Sequence, residues 1–105
     1  MKEISVSKLK EMIDKKEDFQ LIDVREEHEF DICNINGELI PMGEVMENVD
    51  KISKNKTVVV HCRSGKRSAT VINALEQQHG FTNLYNLQGG ILAWAQEIDP
   101  SMPSY

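Results

Sequence analysis

The chain has no long hydrophobic run, no excess of positive charge and almost no cysteine, and each shortage removes a class of protein. No apolar stretch approaches the roughly 20 residues that a helix needs to cross a bilayer. Twelve Lys and Arg stand against 17 Asp and Glu, a formal net charge of −5. That is the wrong sign for a nucleic-acid or anionic-membrane surface. Two cysteines, Cys33 and Cys62, are too few for a secreted disulfide framework and lack zinc-ligand spacing. Free thiols in a reducing compartment are expected instead. The opening residues, Met1 to Ser5, carry no apolar signal core, so the expected location is cytoplasmic.

What remains is an ordinary globular composition, 40% hydrophobic and 28% charged over 105 residues and 12.0 kDa. Area scaling gives about 6,000 Å² exposed when folded, enough burial for one core without metal or disulfide staples. One domain over residues 1–99 is expected, followed by a loosely held Pro/Ser-rich tail, 100–105. Nothing in the pattern calls for an obligate dimer, and a monomer is expected.

Helical spacing occurs four times. Leu9, Met12 and Ile13 form a short stripe behind Ser7, the expected N-cap, with Lys10 denying it a capping box. Met42, Val45, Met46 and Val49 follow i, i+3, i+4, i+7 spacing and read as core. Val71, Ile72, Ala74 and Leu75 lead to Gly80, a natural helix stop. Ile91, Trp94, Ala95 and Ile98 repeat the pattern before Pro100. Short apolar runs lie between: Phe19–Ile22, Thr57–Val60, Leu84–Leu87 and, more weakly, Leu39-Ile40. Val58-Val59-Val60 is β-branched throughout and reads as a strand covered on both faces. Strands alternating with helices predict an α/β domain, a mostly parallel sheet of about five strands with helices on both faces.

The segment richest in chemistry is His61-Cys62-Arg63-Ser64-Gly65-Lys66-Arg67-Ser68. It follows a buried strand and precedes a helix, the edge of an open α/β sheet where ligands settle. Gly65 lets the loop curl, and a curled loop entering a helix turns several N–H groups inward. Such a cradle binds anions and stabilises a thiolate at its base. Arg63, Lys66 and Arg67 add positive potential, so Cys62 is expected to ionise more readily than a free thiol. The competing view is a solvated basic helix start preceded by an incidental packed cysteine.

Four stretches together carry a family resemblance: Leu21-Ile22-Asp23-Val24-Arg25, the loop Cys62 to Arg67, Gly80-Phe81-Thr82-Asn83-Leu84, and Leu87-Gln88-Gly89-Gly90-Ile91-Leu92-Ala93-Trp94. In this order, from Ile4 to about Trp94, the chain resembles a single-domain rhodanese, a thiosulfate or persulfide sulfurtransferase. The resemblance implies that Cys62 takes the outer sulfur of a small anionic donor as a persulfide and passes it to a thiol or cyanide. Arg63, Ser64, Gly65, Lys66 and Arg67 would bind the donor, with no metal or organic cofactor. One stretch departs from the family: Cys33-Asn34-Ile35-Asn36-Gly37-Glu38 stands where a Gly-His-Ile-Pro-Gly-Ala-like run is common. It looks instead like rhodanese domains joined to adenylating enzymes, which implies a sulfur-acceptor or sulfur-carrier protein as partner.

Two rival functions share this loop. A cysteine phosphatase places five residues between Cys and Arg, but four separate Cys62 from Arg67, Ser68 occupies the phosphatase Arg position, and no general acid is identifiable. A catalytically silent, rhodanese-like interaction module would ordinarily lack the cysteine. Asp23 and Arg25 are expected to tie loops together as an ion pair, with a lesser option that Arg25 reaches the loop rim. His61 is expected on the opposite strand face from Cys62 as a structural histidine, and His28 and His79 at the surface. Trp94 and Phe81 should anchor the core. Cys33 should be a packed thiol, a resolving role requiring proximity to Cys62.

Overall fold

A computed structural model describes all residues, 1–105. Five parallel strands form one sheet: β1 (Glu3–Ile4), β2 (Gln20–Asp23), β3 (Glu38–Leu39), β4 (Val58–His61) and β5 (Leu84–Leu87), in spatial order β1-β5-β4-β2-β3. Between them run α1 (Val6–Asp14), α2 (Glu27–Ile32), α3 (Lys66–His79) and α4 (Gly90–Glu97). The accessible surface, 5733 Å², agrees with the value expected from chain length.

Strand alternation sorts the core into two layers. Val58, Val60 and Cys62 point to one face, with Val71, Ile72 and Leu75 of α3 and with Phe81. Val59 points to the other, with Val6, Leu9 and Met12 of α1 and Ile91 and Trp94 of α4. β4 is buried along its whole length, as its β-branched run requires. Phe81 and Trp94 are both buried. Cys33 lies in the second layer, so the sheet separates it from Cys62 and the two remain free thiols.

Several local expectations are revised. α1 begins two residues early: Ser5, not Ser7, is the N-cap, its hydroxyl accepting from the Lys8 amide at 3.0 Å. Starting there buries Val6 beside Leu9 and leaves Ile13 on the exposed edge. The Met42–Val49 stripe does not form an α-helix. Two 3₁₀ turns replace it, Met42–Glu47 and Val49–Lys51. With three residues per turn, that winding cannot hold i, i+3, i+4 and i+7 in one line. Val45 alone is fully buried, while Met42 and Met46 are 37% and 42% exposed. The tail is also more engaged than its composition suggests. Pro103 O accepts from Cys33 Sγ at 3.5 Å, Tyr105 O accepts from Arg25 Nη1 at 3.5 Å, and Met102 packs on the second layer.

A buried ion pair closes the C-terminal end of β2. Arg25 Nη2 lies 2.8 Å from Asp23 Oδ2, and both side chains are fully buried. The remaining guanidinium donors reach the carbonyls of Glu29 and Cys33, so the charge is both paired and hydrogen-bonded. Arg25 thus knits α2 and the following loop to the sheet, and it makes no hydrogen bond or ion pair with the Cys62 loop. Replacing Arg25 by Met strands the Asp23 carboxylate in the interior. The expected loss is about 3–5 kcal/mol, read as a lower midpoint in urea unfolding.

Candidate active site

Cys62 follows β4 directly and sits beneath the loop that carries the chain into α3. Its side chain is 1% exposed and shares the first core layer. The loop amides nevertheless face it. Gly65 N–H donates to Sγ at 3.1 Å and Ser68 N–H at 3.5 Å. Of the first four amides of α3, those of Lys66 and Arg67 make no hydrogen bond to a carbonyl or a side chain. Ser68 N–H serves the sulfur, and Ala69 N–H serves the Gly65 carbonyl at 3.1 Å. Two unpaired amides and the sulfur acceptor therefore belong to one short turn.

The loop holds this shape because its carbonyls are tied on the outside. Ile91 N–H donates to the Cys62 carbonyl at 3.0 Å and Leu92 N–H to the Arg63 carbonyl at 3.1 Å. Both donors belong to the first turn of α4. That close approach explains Gly90, where φ is +61° and a Cβ would overlap the Arg63 carbonyl and come within 2.7 Å of that of Cys62. Gly65, at φ +107°, makes the turn into α3. Asn86 Nδ2 donates to the Gly65 carbonyl at 3.1 Å.

The sulfur feels opposing influences. Burial pushes the Cys62 thiol up. Hydrogen bonds from the Ser68 side chain and from the amides of Ser68, Gly65 and Ser64 outweigh it, and the net shift is downward. Nothing comparable acts through His61. That ring is fully buried on the opposite strand face, its Nε2 lies 3.6 Å from Asp23 Oδ2 without a hydrogen-bond partner, and burial lowers its pKa so that it stays neutral. His28 and His79 are at the surface.

The three loop cations have different situations. Arg63 and Lys66 are exposed on the rim, the Arg63 guanidinium 5.9 Å from the Tyr105 ring. Arg67 is turned instead to Glu29 of α2, a two-pronged pair at 2.7 and 2.8 Å. Sequence reasoning named Arg67 but missed Glu29, Ser68 and Asn86. Glu29 carried one available signal, three residues after Glu26, where it completes a capping box for α2. Ser64 is exposed at the loop crest. The largest surface cavity, about 630 Å³, lies elsewhere, bounded by Ile13, Phe19, Trp94 and Met102, and includes no loop residue.

The site is thus a cysteine in an amide-lined loop between a strand and a helix of a parallel α/β sheet. The chain belongs to the rhodanese-like domain family, whose model matches residues 5–97. It is 37% identical over 97% of its length to the "Probable adenylyltransferase/sulfurtransferase MoeZ" of Mycobacterium tuberculosis, of which it spans only 26%. It is 42% identical to the "Putative sulfurtransferase YtwF" of Bacillus subtilis, covering 95% of this chain and 96% of that one. The crystal structure of a rhodanese-like domain protein from Staphylococcus aureus superimposes with a TM-score of 0.83 at 33% identity, covering 93% and 95% of the two chains.

The Glu29–Arg67 pair makes a pH prediction. The Arg67 hydrogen bonds lower the Glu29 carboxyl to about 2, against partial burial that raises it. Its ionised form therefore favours the folded state above pH 4.5, and the contribution fades as pH falls toward 2. Glu29→Gln is expected to cost about 1–2 kcal/mol at pH 7. The gap between variant and wild-type urea midpoints should shrink steadily below pH 4.5.

Proposed function

We propose that this chain is a sulfurtransferase in which Cys62 is the nucleophile and carries sulfane sulfur as a persulfide. The observation that carries this is the sulfur of Cys62 accepting from the Gly65 and Ser68 amides, with the amides of Lys66 and Arg67 between them in the chain left without a partner. An anionic terminal sulfur on Cys62 would meet those free donors, and the positive end of α3 would add to the field. Ser64 and Gly65 shape the ring, and Arg67 contributes through its amide while its guanidinium braces α2. Arg63 and Lys66 supply the uncompensated charge that draws in a small anionic donor such as thiosulfate or a persulfide.

The chemistry is two displacements at sulfur. The Cys62 thiolate attacks the outer sulfur of the donor, and the donor's remainder departs with the bonding pair. A thiol or cyanide acceptor then attacks the outer sulfur and returns Cys62 as thiolate. The deep seat of Sγ favours a reagent that reaches in with a single slender sulfur over a bulky phosphoryl group. Similarity to an adenylyltransferase/sulfurtransferase, and the Cys33–Glu38 stretch, favour a sulfur-acceptor or sulfur-carrier protein as recipient. The domain proposed to do this is residues 1–99, working as a monomer in the cytoplasm without a cofactor.

Incubation with thiosulfate or a small persulfide, read by intact mass, should add one sulfur to the wild type and none to Cys62→Ser. An unmodified protein that hydrolyses an aryl phosphate would instead indicate a phosphatase, and an unmodified inert one an interaction module. Removing both rim charges, Arg63→Ala with Lys66→Ala, should raise KM for thiosulfate by roughly tenfold with kcat little changed. That difference should narrow as salt is added, because exposed charges are screened.

A further inference from the structure

The Cys62 sulfur has one neighbour that the loop itself does not provide. Ser68, in the first turn of α3, is fully buried, and its Oγ lies 3.4 Å from Sγ. The position of its proton follows from the next contact. Asn86 on β5 donates through Nδ2 to the Gly65 carbonyl, which turns Oδ1 toward Ser68 Oγ at 2.6 Å. An amide oxygen only accepts, so the Ser68 proton lies on that contact. A hydroxyl has one proton to give. While Asn86 holds it, Ser68 offers the sulfur only a lone pair.

That arrangement suits a neutral thiol, with the Cys62 S–H donating to Ser68 and Ser68 donating to Asn86. It does not suit a thiolate, which would face an electron-rich oxygen at 3.4 Å. Resting on the sulfur-transfer reading above, we propose that Ser68 is a catalytic residue whose hydroxyl swings its proton from Asn86 to the Cys62 sulfur whenever that sulfur carries charge. Asn86 is the positioning residue that sets how readily it swings.

The two half-reactions use this hydroxyl unequally. In loading, the Cys62 thiolate forms a bond to the outer sulfur of thiosulfate. The thiosulfate S–S bond breaks, its electron pair leaves on sulfite, and the Ser68 proton returns to Asn86. In discharge, an acceptor thiolate bonds to the outer sulfur, and the Cys62 S–S bond breaks with its pair kept on Sγ. Ser68 then presents its proton to the departing charge. The hydroxyl only rotates, so no proton is exchanged with Ser68 and no oxidant or reductant enters. The hydroxyl therefore assists discharge most.

Other charges near the sulfur are those of Arg63, Lys66 and Arg67, with Glu29 of α2 on Arg67. His61 of β4 is kept neutral by burial, and Asp23 and Arg25 at the end of β2 neutralise each other. Substitution at position 68 leaves all of them in place.

The test measures the pH dependence of iodoacetamide alkylation at Cys62, read by peptide mass spectrometry, together with single-turnover loading by thiosulfate and discharge to a small thiol. Ser68→Ala, checked for folding by circular dichroism, should raise the alkylation midpoint by about one pH unit and slow discharge roughly tenfold. Loading above that midpoint should be unchanged. Ser68→Thr should restore both quantities. The midpoint change made by Asn86→Ala should lie lower in the wild type than in Ser68→Ala, a comparison that cancels its effect on the Gly65 carbonyl. An unaltered midpoint in Ser68→Ala, or equal slowing of loading and discharge, overturns the proposal. The same Asn86→Ala change in both backgrounds overturns the part assigned to Asn86. The expected alkylation shifts in the variants, with a wild type that never takes up sulfur, sink the sulfur-transfer reading and the catalytic role of Ser68 with it, and leave only the hydroxyl's swing toward the thiolate standing.

Discussion

A loop that presents its amides to a sulfur must send its carbonyls the other way, and a carbonyl sent into the interior needs a donor there. In this chain α4 and β5 provide those donors. The amides of Ile91 and Leu92 take the carbonyls of Cys62 and Arg63, and the Asn86 side chain takes that of Gly65. The inward orientation of the cradle is thus the consequence of bonds made on its outer side. Gly90 stands before Ile91 because the two backbones approach too closely there for a side chain. Remove that outer anchoring and the amides lose their direction, whatever the loop sequence.

The same economy governs charge. Buried ions are all matched: Asp23 with Arg25, and Glu29 with Arg67. The first pair joins α2 to the sheet and the second joins α2 to α3, so the short helix that crosses the end of β2 is held mainly by polar contacts. The unmatched cations of the site, Arg63 and Lys66, are left at the rim, where water bears the cost of their charge. An acidic protein of net charge −5 thereby keeps two exposed cations in the loop that follows its buried thiol.

Legibility from sequence followed the strength of periodic burial. β4, α3 and α4 could be read because each buries a regular apolar pattern, and Gly80 marked the end of α3. β1 is two residues long and exists because β5 offers it an edge, which no local pattern announces. α2, Glu27 to Ile32, has no apolar stripe and depends on its capping box and on Arg25 and Arg67. The Met42–Val49 segment has a helical pattern, yet only Val45 and, in part, Val49 pack on the core. Composition suggests a loosely held tail, and contacts with Cys33 and Arg25 tie it at two points.

By itself the sequence determined that Cys62 ends a buried strand and opens a glycine-bearing, cationic turn into a helix. Those are properties of neighbouring residues, and local stereochemistry enforces them. It could not determine which way the amides face, what holds Arg67, or where the Ser68 proton points. Each of these rests on a partner distant in the chain: Asn86 lies 18 residues from Ser68, and Glu29 38 residues from Arg67. Such pairs come together only when the sheet stacks β4 between β2 and β5, so the tertiary structure decided them.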